Sequence, residues 1–141
     1  MTKEVIVNIE GRQLDSDEMV IIIKVDGVYH LQHQKHFIQY DEPAETEDAV
    51  IKNMIKISPN RIEITKKGAA ASQMNFDLDQ NTEAIYQTPY GDLCFQIRTS
   101  GIFLEETENS ILVKLEYALY SEGSQLSEHR TIIMIQAKPS I

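Results

Sequence analysis

Apolar residues recur at every second position along most of this chain, and a period of two sends successive side chains to opposite faces of a sheet. Val5, Val7 and Ile9 share one face of a first strand, with Asn8 and Glu10 on the other. Leu93, Phe95 and Ile97 repeat the pattern against Cys94, Gln96 and Arg98. The strongest alternation is Ile111, Val113, Leu115, Tyr117 and Leu119, opposed by Lys114 and Glu116. Helical periodicity is hard to find, so the chain must bury one face of a sheet.

Turn chemistry divides the strands. Gly11 ends or bends the first. Within residues 19–31, Asp26-Gly27 reads as a bulge in one long strand, because a hairpin there leaves only residues 28–31 before the polar turn Gln32-His33-Gln34. Residues 37–40 lead into an acidic loop at 41–48, the best candidate for a mobile segment. Ser58-Pro59-Asn60-Arg61 and Thr88-Pro89-Tyr90-Gly91 both fit type I turns, with proline second where its fixed φ is already correct. Lys67-Gly68 makes another turn, Gly101 a corner, and residues 121–127 a polar loop before a last strand at 131–136.

About ten strands with short sequential connections predict an all-β fold, a single closed or nearly closed antiparallel meander barrel of about 8–10 strands occupying residues 1–141 as one domain. A sandwich needs longer crossings between its sheets. A barrel of this size is filled by side chains or holds one small ligand.

The chain has 141 residues, enough for one domain that buries roughly 68–70% of the surface its unfolded form exposes. Its 22 carboxylates against 13 Lys plus Arg give a net charge of −9, and the cations do not cluster. That field disfavours nucleic acid and anionic membrane as partners. The single Cys94 forms no internal disulfide and supports no Cys-based zinc site. No apolar leader opens the chain, and the longest apolar run, residues 19–23, is far shorter than the roughly 20 residues of a spanning helix. The expectation is a cytoplasmic protein.

Few groups are arranged for chemistry. His30, His33 and His36 follow no zinc spacing; His30 and His36 would flank a hairpin tip and could pair across it, against the plainer reading of an exposed hairpin. Asp15-Ser16-Asp17-Glu18 opens like a calcium loop, but Met19, Val20 and Asp26 stand at its fifth, sixth and twelfth positions, so it reads as a solvated turn. Glu42, Glu45, Glu47 and Asp48, and separately Glu105, Glu106 and Glu108, could supply a general acid and base, although charged loops usually just keep strand ends soluble. There is no nucleophile elbow or phosphate-binding loop, and no catalytic residue, metal or cofactor is expected. Lys56 shares the parity of Val50, Lys52 and Met54, opposite Ile51, Ile55 and Ile57, and is either solvated or facing a polar cavity.

Several fragments, in order, resemble one family. They are Tyr40-Asp41-Glu42 at a strand end, Ile55-Lys56-Ile57, Gly68 followed by Met74-Asn75-Phe76, Tyr86-Gln87-Thr88-Pro89-Tyr90-Gly91, then Thr99 and Tyr117-Ala118-Leu119. The Tyr-x-Thr-Pro-Tyr-Gly stretch is the most specific. Together they resemble the YwiB-like family of bacterial proteins, lipocalin-like (calycin-type) β-barrels of undefined function. The resemblance implies a closed antiparallel barrel in a cytoplasmic protein of Gram-positive type bacteria, and no reaction. The chain lacks Trp, and so the Gly-x-Trp mark of many lipocalins; Arg130-Thr131-Ile132 stands where they carry Arg-x-Tyr, and no helical pair could form a fatty-acid carrier's lid. Lipid transport would rest on fold analogy alone.

Three functions follow as expectations. The first is a noncatalytic barrel binding a small apolar or amphipathic molecule at its mouth, with Met74, Phe76, Tyr86 and Thr88 on one face and Lys56 as a polar anchor. Ordinary core packing is the competing account of those residues. The second is an interaction or structural module, a homodimer for instance; the third is a hydrolase using loop carboxylates at the barrel mouth, which replacement of Glu42 and Lys56 would test. Tyr90, at the tip of its turn, either packs under a loop or meets a ligand.

Overall fold

A computed structural model of the chain describes residues 2–14, 20–43, 50–68 and 71–139. Ten strands run in order: β1 (Thr2–Gln13), β2 (Val20–Gln32), β3 (Lys35–Pro43), β4 (Val50–Ser58), β5 (Arg61–Gly68), β6 (Ala71–Asp77), β7 (Thr82–Thr88), β8 (Gly91–Glu106), β9 (Ser110–Ser121) and β10 (Ser124–Ala137). Each pairs antiparallel with the next, and β1 pairs with β10 to close the barrel. This is the predicted meander.

Alternation decides the inside. Val5, Val7, Ile38, Ile55, Ile57, Ile62, Phe76, Ile97, Val113, Leu115 and Ile133 all point inward and form one buried core. No helix among the described residues is long and apolar enough to cross a membrane, a statement that leaves β-barrel membrane proteins aside.

Four local expectations need correction. Gly11 does not end β1, because it lies in register between Thr131 and Ile21. Asp26-Gly27 is part of one long strand, as expected, but its pairing with β1 runs on without a bulge. Gly27 is required for space: a Cβ there would sit 2.9 Å from the Gln39 carbonyl oxygen and 3.0 Å from Val7 Cγ2. The polar segment 121–127 is mostly strand, and its turn is only Glu122-Gly123, both at positive φ. Finally, the acidic segment begins inside β3, while residues 44–49 and the calcium-like residues 15–18 lie outside the described residues.

The bulges are elsewhere. One extra residue, Ser100, interrupts the β8–β9 register, and Leu126 interrupts β9–β10. An odd insertion reverses side-chain parity. Ile97 and Thr99 therefore face inward before Ser100, and Ile102 and Leu104 after it, so the corner expected at Gly101 is a bulge within one strand.

At the opposite end from the β7–β8 turn, Asp77 closes β6. Its carboxylate accepts the Asp79 N–H at 2.9 Å and faces Arg61 Nη1 at 3.2 Å, and these bonds hold its pKa below the ordinary carboxylate value. A lowered folded pKa contributes stability that is complete above the unfolded value and is lost as pH falls through the folded one. Asp77→Asn should therefore lower stability at neutral pH and flatten its acid dependence below about pH 4. Urea midpoints of both forms from pH 7 to pH 2 check this; parallel acid limbs would contradict it.

Candidate functional site

Pairing registers arrange the inner wall of β3 to β8 in transverse rows. The lowest is apolar apart from its first member: His36, Ile57, Ile62, Phe76. Above it run Ile38, Ile55, Ile64, Met74, Ala84 and Phe95. The next row, toward the β5–β6 and β7–β8 turns, is Tyr40, Asn53, Lys66, Ser72, Tyr86 and Leu93. Polarity changes within a single step of the ladder, and this end of the inner wall, an apolar row with a polar row above it, is here called the cup.

Its chemistry is specific. Lys66 Nζ reaches Glu42 Oε1 at 2.9 Å across the inner face of β4, and both side chains are partly sheltered. Asn53 is only 3% exposed; its Nδ2 donates to the Ile51 carbonyl at 3.3 Å, while its Oδ1 has no partner. Burial pushes the Tyr40 hydroxyl upward, with help from nearby Glu42, and burial likewise raises Tyr86. Both phenols are neutral at pH 7. Tyr86 donates to Met74 Sδ at 3.4 Å and meets the Phe95 ring edge-on at 5.8 Å.

Further round the wall Tyr117 stacks on His129 at 5.1 Å, and the Ser127 hydroxyl bonds His129 Nε2 at 2.6 Å. Thr99, cross-strand from Tyr117, carries a second buried oxygen with no partner, Oγ1.

The expected pocket residues divide. Met74 and Tyr86 come together at the cup, half-buried. Phe76 shares their face but is 1% exposed and packs its ring 4.7 Å from Tyr117, deep in the core. Thr88 is occupied by its turn, its hydroxyl bonding the Gly91 carbonyl and accepting the Tyr90 N–H. Lys56 is a correction: it lies on the outer wall, 3.4 Å from Glu63 and 5.7 Å from the Phe37 ring centroid, so it cannot anchor anything inside. Glu42 and Lys56 consequently face opposite sides of the sheet and share no site. Tyr90 is 99% exposed and packs under no loop.

The histidines separate too. His30 stacks on Phe37 on the outer wall at 5.0 Å, and His33 occupies the turn at positive φ. His36 points inward, bonded to the Tyr29 hydroxyl at 2.7 Å and 3.4 Å from Glu106 Oε1, at the end of the barrel away from the cup. Two broad depressions, about 770 and 470 Å³, lie on the outer wall; the first includes Asp26, Val28, Lys52, Met54 and Lys67. Among the described residues no three His, Cys, Asp or Glu side chains converge on a metal position.

Asn53 and Lys66 are missed by reading motifs, though Asn53 leaves a visible trace as a polar residue inside the series Ile51, Ile55, Ile57. Lys66 leaves none, since its partner is 24 positions away.

The architecture has a solved counterpart. The crystal structure of the ywiB protein from Bacillus subtilis superposes with a TM-score of 0.83 at 18% identity, covering 98% of this chain and 94% of that one. By sequence, the uncharacterized beta-barrel protein YwiB of Bacillus subtilis is 23% identical over 119 residues, 84% of this chain and 82% of the relative. Residues 7–133 match the family described as a domain of unknown function, DUF1934, and the chain belongs to that YwiB-like β-barrel family.

Proposed function

We propose that this barrel is a noncatalytic binder of a small amphipathic molecule, held in the shallow cup rather than in a deep chamber. The observation that carries this reading is the layered inner wall, where half-buried Met74 and Phe95 belong to the row beneath the one that holds Tyr40, Asn53, Lys66 and Tyr86. Apolar contact with a few fixed polar groups is the usual composition of a ligand site. Depth is limited by Ile38, Ile55 and Ala84, all fully buried. A cytoplasmic location belongs to the same reading, supported by the lone, exposed Cys94, and the charge of −9 argues against nucleic acid as partner.

Native mass spectrometry of gently purified protein should show an adduct that denaturation releases. With 1-octanol as probe, Tyr86→Ala should weaken binding about tenfold, the scale of one lost aromatic contact. A bare chain mass together with no octanol binding would remove the proposal.

A second reading, self-association through the outer wall, is favoured by Ile22, 76% exposed on β2. A monomer by light scattering at high concentration would end it.

A further inference from the structure

The cup's polar row is unbalanced. Asn53 Oδ1 is buried and unpaired, and its orientation is not free: turning the amide over would set this oxygen against the Ile51 carbonyl that Nδ2 now serves. The two directly opposite neighbours do not relieve it. Lys66 is drawn to Glu42, and no hydrogen bond joins Tyr40 to the amide. A buried acceptor without a donor costs about 1–3 kcal/mol, a penalty a bound donor would cancel.

We propose that the ligand's head group is a hydrogen-bond donor, a hydroxyl or a primary amine, which donates to Asn53 Oδ1. This rests on the cup being a ligand site. A carboxylate head would place its oxygens against Oδ1, acceptor against acceptor, and would compete with Glu42 for Lys66. Amphipathic alcohols and amines therefore fit, and fatty acids do not. The apolar tail lies along Met74, Tyr86 and Phe95.

Calorimetry with 1-octanol, octylamine and octanoate at pH 7 tests the head group while holding the tail constant. Octanol and octylamine should bind at least about tenfold more tightly than octanoate, and Asn53→Leu should narrow that margin, leaving the part due to the Glu42–Lys66 pair, while leaving the protein folded. Asn53→Asp keeps an acceptor and adds charge, so it should shift preference toward octylamine, an effect that loss of packing would not produce. It also serves if the leucine variant fails to fold. Equal binding of all three probes, unchanged by either variant, would overturn the head-group assignment while leaving the cup as a ligand site. An ordered water on Oδ1 that persists with octanol bound would do the same. No binding of any probe would overturn both.

Discussion

Phe76→Ala should cost about 3–5 kcal/mol of folding free energy, a large share of the roughly 5–15 kcal/mol that holds a typical domain folded. Three observations combine in that expectation. Phe76 is 1% exposed; it is directly opposite Ile62, itself fully buried; and its ring touches Tyr117, reaching from β6 to β9 across the barrel. Removing the ring leaves a void between two walls that each belong to a continuous hydrogen-bonded sheet, so collapse around it is restricted. Urea unfolding followed by circular dichroism measures the loss. A cost below about 1 kcal/mol would mean that Phe76 lines open space instead of filling the core. The same variant should scarcely change octanol binding per folded molecule, since Phe76 lies one row beneath Met74, below the cup's floor.

Gly68→Ala should be nearly as damaging, for a different reason. Gly68 closes β5 with φ +107°, a conformation L side chains rarely adopt, and a Cβ there would lie 2.5 Å from the Val50 carbonyl oxygen. Backbone strain alone is worth about 1–3 kcal/mol, and the contact is with main chain of β4 that pairs with β3 and directly precedes Ile51, the partner of Gly68, so it cannot swing aside. Gly91 provides the control: its φ is +121° but nothing lies within 4 Å of a Cβ, so alanine there meets the strain without the collision. The difference in unfolding midpoint between the two variants isolates the collision. Equal losses would show that close approach contributes nothing at Gly68.

The barrel is legible in the sequence because ten strands with one buried face print an alternation that turns punctuate. It fails where that print is faint. Between residues 124 and 129 the inward positions are Ser127 and His129, so a true strand carries no apolar signal and reads as loop. At Ser100 one inserted residue reverses parity, and the strand reads as two.

The site is less legible still. Met74 and Tyr86 share a visible parity, and their meeting follows from it. Whether Lys56 points in or out depends on which parity of β4 is the core; the alternation with Ile51, Ile55 and Ile57 favours outward, as the structure has it. The Glu42–Lys66 pair requires the registers of three strands at once, which no local pattern contains.

Every neighbouring pair in the barrel is consecutive in the chain except β1 with β10. Hairpins can therefore zip in sequence at small entropic cost, while the final seam must bring residues as far apart in sequence as Val5 and Ala137 together. Until then β1 and β10 each present a row of unsatisfied backbone groups, the template on which strands from different molecules join. The interval between finishing β10 and sealing it to β1 is when a newly made molecule is most open to sticking to another, and crowding by its own copies is the hazard the fold has to outrun.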